Sequence, residues 1–220
     1  MMEGQTIHFD KRSLCERIYA HLRNKIMHNE LKAGSRIHYD QLMEELGVSR
    51  TPLRDALKAL QQDGFIEVKP RSGTFVNTPK LKDIVEIYDL RKALESLAIE
   101  LAWPNIPESV LHELRAECDQ ADQWINAEQF APFFEADRRF HRTLISYSKN
   151  ERLMQMMEKL EIQVTRFRIM MTTNAKRPAQ ANEQHKQIIA ALQNGDVAHA
   201  RAMMEKHVQE MKQFMIKDFS

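Results

Sequence analysis

The chain has 220 residues, 32 Lys+Arg against 31 Asp+Glu (net charge +1), and only 6 Gly and 7 Pro. That length buries a real core in one large domain or two small ones, and the near-neutral balance excludes a generally basic nucleic-acid coat while allowing a local basic patch. With no run near the roughly 18 apolar residues of a membrane span, no signal-peptide stretch in Met1 to Asp10 and only two cysteines, Cys15 and Cys118, membrane, secreted and disordered classes are excluded and a cytoplasmic location is expected.

Five of the six glycines lie within the first 78 residues. A turn-rich domain over residues 1–78 is therefore expected ahead of a larger helical domain over 79–220, with the seam near Asn77-Thr78-Pro79-Lys80. Leu14, Ile18, Leu22 and Ile26 recur at four-residue steps and predict an amphipathic helix over about 11–28. Residues 31–37, holding Ala33-Gly34, read as a loop, and a short helix over 39–46 ends at Gly47, which readily takes the left-handed conformation. Ser49 can cap the next helix, Pro52 falls in its first turn where no backbone donor is lost, and Leu53, Ala56, Leu57 and Leu60 form its inward face. Two short strands, 65–69 and 73–76, flank Pro70-Arg71-Ser72. The order matches a winged helix-turn-helix. Helices are predicted over 81–102, 108–125, 129–148, 151–172, 180–193 and 196–217, broken at Pro104, Pro107, Pro178 and Gly195-Asp196. The fold class is mainly α: a winged helix-turn-helix with a small β wing, then an all-helical antiparallel bundle.

A helix-turn-helix inserts the start of its second helix in the major groove, where long donors read base edges. Arg50, Arg54 and Lys58 recur every four residues, about 100° around the helix from the leucine face, so packing and reading can coexist. Arg guanidinium suits the two acceptors of a guanine edge; Ser49 or Thr51 reaches phosphate, and Arg36 and the wing-tip Arg71 are further contacts. Charge adds little, since residues 1–78 hold 12 Lys+Arg and 10 Asp+Glu.

In the second domain, Asp137 and His141 fall four residues apart within an apolar stripe of Phe133, Phe140 and Leu144. His185 shares a face with Ile188, Ile189 and Leu192, and His207 lies among Met203, Met204, Val208 and Met211. An unpaired carboxylate in such a core costs several kcal/mol, a difficulty that a divalent ion removes. One Asp and three His suit zinc first, with nickel or manganese as alternatives, and leave positions open for water or a small anion. Arg91, on the Ile84/Tyr88/Glu95/Ala98 stripe, either anchors a carboxylate through two parallel hydrogen bonds or simply pairs with Glu95 along the helix. Arg142 is expected to point away from the pocket, and Arg166 and Arg168 are further pocket candidates. Two other readings stand beside a regulator: a metal-dependent enzyme acting on a small carboxylate, and a regulator whose metal is purely structural. The lack of a separate general base, and a DNA-reading head that an enzyme leaves unexplained, weigh against catalysis.

Leu46-Gly47-Val48-Ser49-Arg50-Thr51-Pro52-Leu53-Arg54-Asp55-Ala56-Leu57, with Leu60 and Asp63-Gly64-Phe65-Ile66, resembles the GntR family of bacterial transcription regulators over about residues 11–77. The resemblance implies a dimer reading palindromic double-stranded operator DNA through Ser49, Arg50, Thr51, Arg54 and the wing around Arg71. Tyr39-Asp40 departs from it, since many members carry Arg or another polar residue there. Tyr88 to Glu95, Asp137 with Phe140-His141-Arg142, Asn150-Glu151-Arg152-Leu153, and His185 with Ile188, Ala191, Gly195 and Asp196 resemble the FCD ligand-binding domain of the FadR subfamily, over about 80–217. That likeness implies a metal held by Asp137, His141, His185 and His207 and a small organic-acid effector against it. Release of DNA on effector binding is expected from the resemblance alone.

Overall fold

The structure, a computed structural model, describes residues 13–27, 30–78, 80–170 and 176–219, with the side chains of 166–170 and 176 left aside. The pocket roles expected of Arg166 and Arg168 fall outside the described side chains. The chain divides into two compact units, Met1–Thr78 and Pro79–Ser220.

The first unit begins with α1 (Leu14–Met27), opened by a reciprocal cap: Glu16 N–H donates to Ser13 Oγ at 3.2 Å, and Ser13 N–H donates to Glu16 Oε2 at 2.6 Å. Ile18, Leu22 and Ile26 are buried as the spacing requires, whereas Leu14 stays exposed. Next come β1 (Arg36–Ile37), α2 (Tyr39–Leu46) and α3 (Arg50–Gln62), then β2 (Ile66–Lys69) and β3 (Gly73–Val76). Gly47 closes α2 at φ 62°, ψ 36°, the left-handed conformation that a side chain resists. Leu53, Ala56, Leu57 and Leu60 all turn inward, packing α3 against α1 and α2. β1 corrects the loop expected over 31–37. It pairs antiparallel with β3 through Arg36↔Phe75 and Ile37↔Thr74, completing a sheet of order β1-β3-β2. Two residues are too few to show a period-2 pattern, and what fixes them is the free edge of β3 and burial of Ile37.

The second unit holds α4 (Leu81–Ala102), α5 (Glu108–Asn126), α6 (Phe130–Tyr147), α7 (Glu151–Met170), α8 (Lys176–Gln193) and α9 (Val197–Phe219). Helix α8 starts four residues before the expected 180, because Pro178 sits in its first turn, where a missing N–H costs nothing, and does not break it. The last two residues of the helix expected over 151–172 lie outside the described residues. Gly195 at φ 74° turns the chain, and Asp196 Oδ1 accepts the His199 N–H at 3.0 Å to cap α9. Helices α4, α6, α8 and α9 form a ring in which each packs on the next, with α5 and α7 outside it. Among the described residues, no helix is long and apolar enough to cross a membrane.

Candidate functional site

The ring of α4, α6, α8 and α9 encloses polar groups in an otherwise apolar core. Asp137, His141, His185 and His207 are all buried, and one ligand atom from each lies within 4.8 Å of all the others. Asp137 Oδ1 is 3.9 Å from His141 Nε2 and 3.8 Å from His185 Nε2, while His185 Nε2 and His207 Nε2 are 3.4 Å apart. A tetrahedral ion with bonds near 2.0–2.1 Å needs donor separations of about 3.3 Å. Small rotations of side chains already in place would close the difference.

Each ring is aimed by a neighbour. His207 Nδ1 lies 2.9 Å from Gln184 Oε1, and Gln184 Nε2 donates to Glu210 Oε2 at 2.5 Å. Since a carboxylate only accepts, the amide nitrogen faces Glu210 and the amide oxygen takes the Nδ1–H, leaving Nε2 of His207 bare. Phe140 stacks on His185 with centroids 4.0 Å apart and planes at 19°. His141 Nδ1 lies 2.5 Å from Glu95 Oε2, close but not well aligned, and its Nε2 is buried with no hydrogen-bond partner. That orphaned nitrogen, a buried polar atom with a lone pair towards three other donors, is what a metal site requires. Burial first, then His185 and His141, keeps the His207 imidazole well below its ordinary pKa, so it is neutral and able to ligate.

Arg91 joins this network from α4. Its Nε donates to Glu95 Oε1 at 2.6 Å, so the helix pair is formed; yet Arg91 is only 4 % exposed and its buried Nη1 has no partner. Burial pushes the Glu95 carboxyl up, but Arg91 and His141 outweigh it and hold it well below the usual carboxylate range. Arg91 Nη1 remains as an unused donor, beside a cavity of about 30 Å3 lined by Glu95, Asp137 and His141. Arg142, expected to point away, is 62 % exposed but lines that cavity and pairs with Glu161 of α7 at 3.2 Å. Sequence reasoning missed Glu95 and Gln184 as holders of the histidines. Glu95 carried a signal: an inward carboxylate on an apolar stripe, as at Asp137.

In the first unit, Ser49, Arg50, Thr51, Arg54 and Lys58 are all exposed along the start and outer face of α3. Ser49 takes the N-cap position at φ −78°, ψ 167°, but its side chain makes no cap hydrogen bond, which corrects the expected cap and leaves the hydroxyl open. Arg71 stands exposed at the wing turn with φ 62°. Arg36, exposed on β1, folds its guanidinium over Gly73, where a Cβ would come within 3.0 Å of Nε. Arg36 thereby stands beside the wing.

Residues 14–76 match the bacterial regulatory proteins of the gntR family, and residues 86–210 match the FCD domain. The chain belongs to the GntR family of bacterial regulators. Among curated relatives, the HTH-type transcriptional repressor RspR of Escherichia coli (strain K12) is 28% identical over 198 residues, 90% of this chain and 87% of the relative. The Nta operon transcriptional regulator of Aminobacter aminovorans is 28% identical over 182 residues, 81% of this chain and 83% of the relative. In fold, the chain is similar to a GntR regulator from Rhodococcus sp. RHA1 (TM-score 0.75, 21% identity, 94% of this chain and 99% of that one). It is also similar to a metal-free FCD domain, TM0439 (TM-score 0.56, 23% identity, 65% of this chain and 98% of that one). The protein is thus a transcription regulator with a GntR head and an FCD domain; the family and the named relatives are regulators and not enzymes, which removes the catalytic alternative.

Proposed function

We propose that this regulator is a dimeric repressor whose hold on operator DNA is set by a small organic acid, bound at a divalent ion between Asp137, His141, His185 and His207. The observation that carries the reading is the buried convergence of these four donors, with His141 Nε2 lacking any other partner. Zinc suits one carboxylate and three imidazoles, with nickel and manganese as alternatives, and a bound ion would supply a positive centre for a carboxylate. Gln184 fixes the His207 imidazole with Nε2 inward, the Glu95 carboxylate stands 2.5 Å from His141 Nδ1, and Arg91 Nη1 offers the acid a charge-assisted donor. On DNA, Arg50 and Arg54 read bases in the major groove, Ser49 and Thr51 meet phosphate, and Arg36 and Arg71 act with the wing. Two heads on a palindrome engage half-sites spaced by about 34 Å.

Effector binding shifts the equilibrium between DNA-holding and DNA-releasing arrangements by as much as its affinity differs between them. The expected direction is release. The test uses zinc-loaded full-length protein on a fragment it selects from a random library, in gel shifts with a panel of small organic acids. At least one acid should release the wild type and fail on His185→Ala. Tighter DNA binding with every active acid would reverse the direction, and an unaltered response of His185→Ala would remove the metal from sensing.

A further inference from the structure

The cavity beside Arg91 holds about one water's worth of space, roughly 30 Å3, too little for an organic acid. Outside it lies a groove of about 440 Å3 between the C-terminal half of α6 and the start of α7. The two share Arg142, Ile145, Met157 and Glu161, so these residues form the partition between them. The partition is apolar except for one ion-pair cluster. Glu161 takes Arg142 through Oε2 at 3.2 Å and Arg138 through Oε1 at 3.2 Å. Arg138 also holds Glu135 of its own helix at 3.1 Å, so Arg142 is the more available of the two.

The placement on α6 is regular. Arg138 directly follows Asp137, and Arg142 directly follows His141. The ligand pair and the arginine pair therefore run along one helix about 100° apart. Both pairs line the same small cavity. One carboxylate bridging two arginines is the arrangement that a ligand carboxylate would take, and here the protein's own Glu161 occupies it. The cavity lining carries Arg91, Arg138 and Arg142 against Glu95, Asp137 and Glu161, a formal balance of zero. A divalent ion raises that to +2, and drawing Glu161 away raises it to +3, so a single carboxylate leaves positive charge that a second carboxylate on the same molecule meets.

We infer that Glu161 is a built-in substitute for the second carboxylate of the effector, and that the effector is a dicarboxylate whose outer group displaces Glu161 from Arg142 and Arg138. This rests on the effector site proposed above. Arg142 is 62 % exposed and Glu161 26 %, so the Arg142 end of the cluster is held weakly and is where the exchange opens the groove into the cavity. A monocarboxylate reaching the inner group leaves Glu161 in place and gains nothing from the arginines.

The test measures binding calorimetrically to zinc-loaded full-length protein, with straight-chain monocarboxylates from acetate to valerate and dicarboxylates from malonate to adipate. The tightest dicarboxylate should bind at least about tenfold more strongly than the monocarboxylate of equal length. Arg142→Gln should lower the affinity of that dicarboxylate about tenfold while changing the monocarboxylate less than threefold. Glu161→Gln, which removes the competing charge, should strengthen the dicarboxylate. Opposite signs at exposed Arg142 and half-buried Glu161 cannot both come from misfolding. Equal binding of the two series, or equal losses for both in Arg142→Gln, overturns the dicarboxylate assignment while leaving an acid-sensing metal site intact. Failure of every acid in both series to bind overturns the effector site itself, and this inference with it.

Discussion

Glu95→Gln perturbs stability and the metal site together. The carboxylate accepts from Arg91 Nε at 2.6 Å and approaches His141 Nδ1 to 2.5 Å, and both partners are buried with it. Removing its charge leaves Arg91 an uncompensated cation that is 4 % exposed. Breaking a buried pair from one side costs about 3–5 kcal/mol. At about 2–4 °C per kcal/mol for a protein of this size, the apo melting temperature should fall by about 6–20 °C. The amide also removes the negative charge 2.5 Å from His141 Nδ1, which should weaken metal affinity about 10- to 100-fold. Calorimetric melting and a zinc competition titration read the two effects separately. Arg91→Leu combined with Glu95→Leu removes both charges, so its melting temperature should return to within a few degrees of the wild type or exceed it, while metal affinity stays low. A Glu95→Gln protein that melts within about 2 °C of the wild type and binds zinc equally well would refute the argument.

Arg50→Ala or Arg54→Ala should each cost about 1–3 kcal/mol in operator binding and relax base preference, read by competition gel shifts; weaker binding with preference intact would make them phosphate contacts. Apo stability should fall on acidification, because the unfolded chain takes up a proton at His207 near pH 6.5 that the native core refuses. The loss, at most about 1.4 kcal/mol per pH unit below pH 6.5, appears in urea melts of chelated protein. A flat profile between pH 7 and 5 would mean that His207 titrates as it does in water.

Most of the fold is written in local pattern. Leu53, Ala56, Leu57 and Leu60 mark the buried face of α3, and Gly47 marks the end of α2, because each answers to a neighbour three or four residues away. What escaped the sequence depends on partners distant in the chain. The pairing of β1 is decided by β3 some forty residues later, and Arg142 is turned by Glu161 on the next helix. The inward placement of Asp137, His141, His185 and His207 was legible from helical periodicity, since each sits among apolar residues of its own helix. Their distances were not, nor were the roles of Glu95 and Gln184, because a side chain's hydrogen-bond partner across a helix interface leaves no mark in spacing.

The central claim is that four side chains from three helices close around one divalent ion. Anomalous scattering at the metal edge from crystals of zinc-loaded protein, beside elemental analysis of the same preparation, tests it directly. One ion per chain is expected, within about 2.0–2.2 Å of Asp137 Oδ1 and the Nε2 atoms of His141, His185 and His207. Protein that takes up no stoichiometric ion under any loading condition, or an ion bound elsewhere, would contradict it.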